Sequence, residues 1–320
     1  MSFGKSLKTL TEYKTSPKLK ESERIKHLGG IFMRLGAIEA GGTKFVLAVG
    51  NEKGEIFEKI SIPTRTPEET MKDALNFFKD KNLDALGIGC FGPLELNKDK
   101  EKYGYITSTP KPHWGDFDIL GSLKKGLNIP VEIATDVSGA ALGEITFGDY
   151  EKEHTLLYIT VGTGIGGGYV IDGKIHNGML HPEMGHIMIH KNPKDTYEGF
   201  CPYHKTCLEG LAAGPANEGR TGMKGIDIPE DHESFDFIAE YMAEALMSYI
   251  LILSPTKIVL GGGVMGRTYM IPKIREVLKE KLNGYVKTDQ MENLDKYIVT
   301  PSLGVESGIK GALALALMAK

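Results

Sequence analysis

Two stretches of this sequence share one pattern, in which a predicted strand, a glycine-rich turn and a second predicted strand follow one another. The first stretch is 35–50 with its turn at 40–44, and the second is 156–171 with its glycines at 162–168. This pattern is typical of a β-hairpin. Because each half of the chain opens on such a hairpin, we predict two similar domains that face a cleft, with the phosphates of a nucleotide between the two turns.

The order of predicted strands and helices indicates an α/β chain whose two halves meet near 148–155. We expect a first domain at 33–148 and a second at 149–305, and we expect the last predicted helix, 306–320, to pack back on the first domain. A length of 320 residues allows two such domains. Residues 1–32 are polar and lysine-rich, which is typical of a disordered tail and not of a domain.

A second interpretation of the N-terminal segment concerns translation. Residues 28–32 back-translate into a purine-rich sequence that matches a bacterial ribosome-binding signal shortly before the codon of Met33. We therefore predict that Met33 is the true start and that residues 1–32 are a translated leader. A tryptic peptide from before Met33, found by mass spectrometry of the native protein, would contradict this prediction.

The glycine-rich turns offer backbone N–H groups that can hold phosphate oxygens. The first turn, Gly41 to Lys44, lacks the spacing of a Walker P-loop, so an ordinary hairpin turn is the stronger interpretation of that turn alone. In the second, a strand follows where a dinucleotide-binding motif needs a helix, and a tight hairpin and a phosphate-contacting hairpin are about equally favoured. A third run, with Gly262 and Gly263, indicates either close approach of a nucleotide or a flexible loop.

Asp136 lies between a predicted strand and a predicted helix. Its carboxylate could cap that helix. Alternatively, it could act as a general base that takes the proton of an attacking hydroxyl during phosphoryl transfer to an alcohol. The small residues at 138–141 would let the start of the helix approach a substrate closely.

A candidate metal site lies between His181 and Glu209. Two of the three cysteines, Cys201 and Cys207, flank His204 as Cys-x2-His-x2-Cys, and His186 lies upstream of them. Two thiolates and two imidazoles have the composition of a closed tetrahedral zinc site. The alternative is a Cys201–Cys207 disulfide, which the cytosolic character of the rest of the chain disfavours. The carboxylates of the same stretch, at 183 and 209, could hold a polyol.

Composition and charge indicate the cellular compartment of the protein and the classes of partner that it lacks. Three cysteines fit a reducing compartment, and no signal peptide is visible. A net charge of −4 gives no electrostatic case for a nucleic-acid partner. The longest apolar runs, such as 246–253, are far shorter than the about 20 residues of a membrane span. We predict a cytoplasmic protein without a membrane or nucleic-acid partner.

Four motifs in order resemble those of the ROK family (repressors, open reading frames and sugar kinases), from about Met33 to the C-terminus. They are GAIEAGGTKFVLAVG for the first phosphate hairpin, ATDVSGAALGE for the catalytic helix, ITVGTGIGGGYVIDGKIHNG for the second phosphate hairpin, and HPEMGH with CPYHKTCLEGLAAGPA for the substrate and zinc segment. Within the family, GCFGPLELN, YGYITSTPKPHW and the cysteine–histidine loop are similar to the fructokinase branch.

The resemblance implies an actin-like (ribonuclease H-like) ATPase fold, a homodimer, and a hexose kinase that uses ATP with Mg(II) and contains a structural Zn(II). It implies that Asp136 deprotonates the C6 hydroxyl of the sugar. Glu183, His186 and Glu209 would hydrogen-bond the sugar, and His186 would bind zinc through its other ring nitrogen. The residues that it implies for ATP and its phosphates are Gly41, Gly42, Thr43, Lys44, Gly162, Thr163, Gly164, Gly262 and Gly263.

Two departures from the family pattern bear on cation and substrate. The first hairpin of the family usually carries an Asp that makes a water-mediated contact with Mg(II). This chain has Glu39 at that position and so departs from the family at the Mg(II) contact. Thr135, implied to lie at the sugar, replaces the Asn of the glucokinases and so disfavours glucose. Residues 1–32 are too short for the helix-turn-helix of the repressors. The favoured function is a fructokinase, and the alternatives are a kinase for mannose or another hexose, or a sugar-sensing regulator without turnover.

Overall fold

Two mixed five-stranded sheets organise the computed structural model, which describes residues 32–319. The predicted tail or leader at 1–32 therefore lies, apart from its last residue, outside the described residues. The strands of the described part are β1 (Leu35–Ala40), β2 (Lys44–Gly50), β3 (Ile56–Pro63), β4 (Ala85–Cys90), β5 (Tyr105–Ile106), β6 (Phe117–Asp118), β7 (Val131–Thr135), β8 (Thr155–Val161), β9 (Ile165–Ile171), β10 (Lys174–Ile175), β11 (Lys257–Gly261) and β12 (Ile298–Val299). The α-helices are α1 (Pro67–Phe78), α2 (Ile119–Leu127), α3 (Asp136–Phe147), α4 (Leu208–Ala212), α5 (Gly214–Thr221), α6 (Ser234–Leu253), α7 (Met270–Leu282), α8 (Asp289–Glu292), α9 (Leu294–Tyr297) and α10 (Ser307–Met318).

The two large sheets have the same strand arrangement. Their strand orders are β3-β2-β1-β4-β7 and β10-β9-β8-β11-β12. In each sheet a central strand pairs antiparallel with the next strand in the chain, β1 with β2 and β8 with β9. On its other side the same strand pairs parallel, β1 with β4 and β8 with β11. The two predicted hairpins are therefore confirmed, whereas the domain boundary near residue 148 stays a prediction.

The glycines at 166–168 lie within strand β9, so the predicted extent of the second glycine turn is wrong. The turn between β8 and β9 consists of residues 162–164. The reason is packing, because a Cβ atom on Gly168 would lie only 2.7 Å from the Cα atom of Ser138. Glycine at this position lets β9 pack closely against the start of helix α3.

Helices α3 and α10 pack against each other next to the sheets. Helix α3 contacts β4 and β7 of the first sheet as well as β8 and β9 of the second. Helix α10 contacts α3 and also β1 and β4. A Cβ atom on Gly311 would collide with the carbonyl group of Gly139, so these two glycines allow the close approach of the helices. The first residue of α3 therefore lies at a junction of both sheets.

The two largest clusters of buried apolar residues lie on different sheets. The first sheet packs Ile38, Ile88 and Trp114 into one cluster, and the second packs Leu157 and Tyr241, the latter from α6, into a larger one. Helix α6 is the longest helix of the described residues, with 20 residues. No helix between residues 32 and 319 is both long and apolar enough to cross a membrane.

A fully buried carboxylate, Glu144, connects α3 to the start of α10. One carboxylate oxygen accepts hydrogen bonds from the backbone N–H (3.0 Å) and hydroxyl (2.7 Å) of Ser302. The other accepts from the backbone N–H of Leu303 (3.1 Å) and the hydroxyl of Ser307 (2.7 Å). Four donors for one carboxylate compensate the cost of burying its charge.

We expect the substitution Glu144→Gln to lower the free energy of unfolding by about 2–3 kcal/mol, because the amide NH2 group would face two hydrogen-bond donors. Urea unfolding followed by circular dichroism measures this change. Glu280→Gln, on the exposed surface of α7, is the control and should leave the unfolding midpoint unchanged. Equal midpoints for Glu144→Gln and the wild type would contradict the structural role of this carboxylate.

Candidate active site

Asp136 is the first residue of α3 and directly follows the end of β7. The preceding residue, Thr135, caps the helix, because its hydroxyl oxygen accepts a 3.2 Å hydrogen bond from the backbone N–H of Ser138. The interpretation of Asp136 as the helix cap is therefore wrong. Solvent reaches the Asp136 side chain, whereas residues 137–145 behind it are buried. The carboxylate of Asp136 is thus accessible to a ligand at the junction of the two sheets.

Asp136 and Glu39 form a pair of carboxylates with raised pKa values. Protein surrounds Asp136 on most sides although solvent reaches it, and this desolvation raises its pKa against the effects of backbone N–H groups and of His181. Desolvation and then the charge of Asp136 raise the pKa of Glu39 on β1, against the effects of Lys44 and Lys59. A raised pKa brings Asp136 nearer to the working range of a general base.

The first glycine turn is held from one side by Thr64. The hydroxyl of Thr64 donates to the carbonyl oxygen of Gly41 (2.7 Å), and its backbone N–H donates to that of Thr43 (2.9 Å). The N–H of Gly41 donates across the turn to the carbonyl oxygen of Lys44 (3.0 Å). Apart from Gly42 itself and its two chain neighbours, no described residue has an atom within 4 Å of the position that a Cβ atom would take on Gly42, so the tip of the turn is open to a ligand.

The second and third glycine loops lie together. The carbonyl oxygen of Gly162 accepts from the N–H of Gly214, the first residue of α5 (2.8 Å). Gly262 has φ +90° and lies so close to the backbone of Val161, directly before the second turn, that a Cβ atom would collide with it. The structure thus places together five of the residues predicted to bind ATP, which are Gly162, Thr163, Gly164, Gly262 and Gly263.

Three of the four residues predicted to lie at the sugar, Glu183, His186 and Glu209, form one chain of contacts that reaches the second hairpin, in which the backbone N–H of His186 donates to the carbonyl oxygen of Glu183 (3.0 Å). Glu209, on α4, accepts a 2.9 Å hydrogen bond from the backbone N–H of Ile165 at the start of β9. Its other carboxylate oxygen lies 3.9 Å from Nε2 of His186. The carboxylate of Glu183, three residues before His186, lies 2.9 Å from Nε2 of His181. A polar surface therefore extends from the second turn towards His181.

Two residues modify the predicted set. The hydroxyl of Thr135 is buried and also donates to Ser138 Oγ (2.8 Å), so its contact with a substrate stays a prediction. His181 was not selected from the sequence, although its contact with Glu183 and its electrostatic effect on Asp136 place it at the site. The only local signal for His181 is its position in the motif HPEMGH, two residues before Glu183.

The four predicted metal ligands, His186, Cys201, His204 and Cys207, come together in the structure. Their ligand atoms all lie within 4.8 Å of one another. Nδ1 of His186 lies 3.6 Å from the Cys207 sulfur and 3.8 Å from the Cys201 sulfur, and Nδ1 of His204 lies 3.9 Å from the latter. A tetrahedral site with metal–ligand bonds of about 2.0–2.3 Å has edges of about 3.3–3.8 Å. The spacing of the four atoms therefore suits one metal ion.

The chemistry of these donors also suits a metal. Cys201 and Cys207 are buried free thiols, so the alternative of a disulfide between them is wrong. Desolvation raises the pKa of Cys207 to about 11, and a cation would be needed to keep this thiol ionised at neutral pH. His186 directs Nδ1 to the sulfurs and Nε2 to Glu209, which connects the cluster to the polar surface described above.

Comparisons with known proteins agree along almost the whole described chain. A family profile described as the ROK family matches residues 35–319. The chain is 49% identical to a fructokinase of Pediococcus pentosaceus over 284 residues, which cover 89% of this chain and 98% of that protein. It is 44% identical to a fructokinase of Streptococcus mutans over 287 residues, which cover 88% and 96%.

A solved structure agrees with the fold. The ROK hexokinase of Thermus thermophilus superposes on this chain with a TM-score of 0.73 at 26% sequence identity, and the match covers 89% of this chain and 98% of that one. The actin-like ATPase fold that the resemblance implies is therefore confirmed.

Proposed function

The chain belongs to the ROK family, and on this premise we propose that it is an ATP-dependent fructokinase, which transfers the terminal phosphoryl group of ATP to the C6 hydroxyl of D-fructose. The observation that carries this proposal is an accessible carboxylate with a raised pKa, Asp136, beside a polar surface that ends at a glycine hairpin. The names of the two relatives, at 49% and 44% identity, support fructose as the acceptor.

The residues of the site have separate roles in the reaction. Asp136 takes the proton of the attacking hydroxyl, and Glu183, His186 and Glu209 hold the sugar so that this hydroxyl faces ATP. Phosphoryl transfer depends mainly on positioning and on compensation of negative charge. The N–H groups of the glycine turns, such as that of the exposed Gly42, supply part of this compensation by hydrogen-bonding the phosphates.

Mg(II) and Zn(II) have separate places in this proposal. Mg(II) prefers oxygen ligands, and the carboxylate of Glu39 fits an ion that arrives with ATP and neutralises phosphate charge. Zn(II) fits the two sulfurs and two imidazoles of the metal cluster. Because protein atoms would fill all four positions, Zn(II) would orient His186 towards the sugar and would not act on substrate directly. A cytoplasmic homodimer remains part of the proposal.

A substrate panel tests this function. We expect ADP release from MgATP by the purified protein to be fastest with fructose, with kcat/KM at least about tenfold above that for mannose, glucose or N-acetylmannosamine, because the buried polar groups of a sugar site reject a poorly matched hydroxyl pattern. Fastest release with another of these sugars would keep the mechanism and replace the substrate. Binding of hexose without ADP release would support a sugar-sensing regulator instead.

A further inference from the structure

His181 is a buried histidine that contacts one of the proposed sugar-binding carboxylates. Its side chain is 7% exposed, and its Nε2 atom lies 2.9 Å from the carboxylate of Glu183. A carboxylate accepts hydrogen bonds, so the His181 ring is the donor through Nε2–H, and in the neutral ring Nδ1 carries a lone pair.

The other ring nitrogen of His181 has no partner among the described residues. Nδ1 is buried and accepts no hydrogen bond from residues 32–319. Buried polar atoms are nearly always paired, and an unpaired one indicates a missing water or ligand. The ring lies close to Gly92, where a Cβ atom would be 3.6 Å from Nε2, and within electrostatic range of Asp136. The unpaired nitrogen therefore belongs to a side chain that touches the proposed reaction site.

We propose that His181 is a further residue of the hexose site, where Nε2–H holds Glu183 as a hydrogen-bond acceptor and Nδ1 accepts a hydrogen bond from one hydroxyl of the bound sugar. This inference rests on the proposed function, because it takes the ligand of the site to be a hexose. Both acceptors require a hydroxyl donor, so His181 and Glu183 together select against sugars that lack a hydroxyl at the contacted carbons.

Three substitutions separate the two nitrogens. His181→Leu removes both, His181→Gln can keep an N–H group near the place of Nε2, and His181→Asn can keep a polar atom near the place of Nδ1. We expect His181→Leu to raise KM for fructose by about tenfold or more, because it removes hydrogen bonds made equally in the bound state and the transition state. Neither kcat nor KM for ATP should change by more than about threefold. His181→Gln should recover part of the lost affinity by holding Glu183.

His154→Leu is the matched control, since His154 also contacts a carboxylate, that of Asp172 at 3.2 Å, but is exposed. It should leave every kinetic constant unchanged. The melting temperature of each variant shows whether it folds, and His181→Gln supplies the comparison should His181→Leu be unfolded. An unchanged KM for fructose in a folded His181→Leu variant would overturn the proposal. A decrease in kcat accompanied by equally large increases in KM for fructose and in KM for ATP would overturn it as well.

Monodeoxy analogues of fructose locate the contact. Removal of one particular hydroxyl should weaken binding to the wild type by about tenfold and should cause no further loss in His181→Leu. If every analogue loses the same factor in both proteins, Nδ1 does not contact the sugar. Turnover of fructose by the wild type tests the proposed function without any variant. Should another hexose be the better substrate, its deoxy analogues test His181 in the same way.

Discussion

Substitution of Asp136 by Asn should lower kcat for fructose phosphorylation by about 10²–10⁴-fold, which is the contribution of a positioned general base. The amide keeps the size of the side chain, and its oxygen can still accept the 2.8 Å hydrogen bond from the backbone N–H of Val137. It cannot take the proton of the C6 hydroxyl. Steady-state ADP release at saturating MgATP measures the effect, and Asp99→Asn, at an exposed position, is the control.

The same variant should keep its fold. Because desolvation raises the pKa of Asp136 in the folded protein, its ionised form is less favourable there than in the unfolded chain, and above that pKa the charge lowers the free energy of unfolding. Removal of the charge also relieves Glu39, whose pKa it raises. We therefore expect the melting temperature of Asp136→Asn at neutral pH to equal or exceed that of the wild type. Active-site groups that lower the stability of the folded protein in this way are common in enzymes.

The pH dependence of kcat gives an independent test of Asp136. Only the ionised carboxylate can accept a proton, so wild-type kcat should fall as the pH drops through its raised pKa. The residual activity of Asp136→Asn should lack this acid limb. Wild-type kcat in the variant would contradict the role as base, and a large decrease in its melting temperature would assign the loss of activity to the fold.

The features that the sequence predicted well depend on short stretches of chain. Both hairpins at 35–50 and 156–171 follow from apolar runs separated by glycines, and the structure confirms them. The grouping of Cys201, His204 and Cys207 follows from a spacing of three residues, although His186 comes from farther upstream. The resemblance to the ROK family relied on such local motifs, and it therefore gave the fold without showing which atoms touch.

These local patterns do not predict contacts between residues that lie far apart in the sequence. The four hydrogen bonds of Glu144 come from residues more than 150 positions away, and no periodicity marks that pairing. The sequence alone predicts a turn for the glycines at 166–168, because the packing of Gly168 against Ser138 depends on where α3 lies. His181 was overlooked for the same reason, since its importance comes from burial and from an unpaired nitrogen. The roles of the single site residues remain predictions.

The second large effect concerns the metal cluster. Cys207→Ser should lower the free energy of unfolding by at least about 3 kcal/mol, because loss of a metal ligand is among the few single changes with effects of this size. For a chain of this length that corresponds to a decrease of at least about 4–5 °C in melting temperature. The reason is that, in the proposal, the ion would hold the two buried thiols of residues 186–207 together in ionised form.

Cys90→Ser separates loss of the ion from loss of a buried cysteine. Cys90 is also a buried free thiol but lies outside the cluster, so its substitution should leave the zinc content at one ion per chain, measured by atomic emission, whereas Cys207→Ser should lose the ion. Treatment with a chelator should decrease the melting temperature of the wild type and of Cys90→Ser, but should not decrease that of Cys207→Ser further.

The kinetic consequence of Cys207→Ser follows from the two faces of His186. One nitrogen of this residue faces the sulfurs and the other lies 3.9 Å from Glu209, so an unbound ring can turn away from the sugar. We expect KM for fructose to rise by about 10–100-fold, the usual cost of disturbing the groups that orient a functional ligand, while KM for ATP stays unchanged. A wild-type protein without zinc, or a variant with unchanged melting temperature and KM, would contradict a structural ion. A decrease in stability with an unchanged KM would instead show that the ion stabilises the loop only and that the carboxylates alone position the sugar.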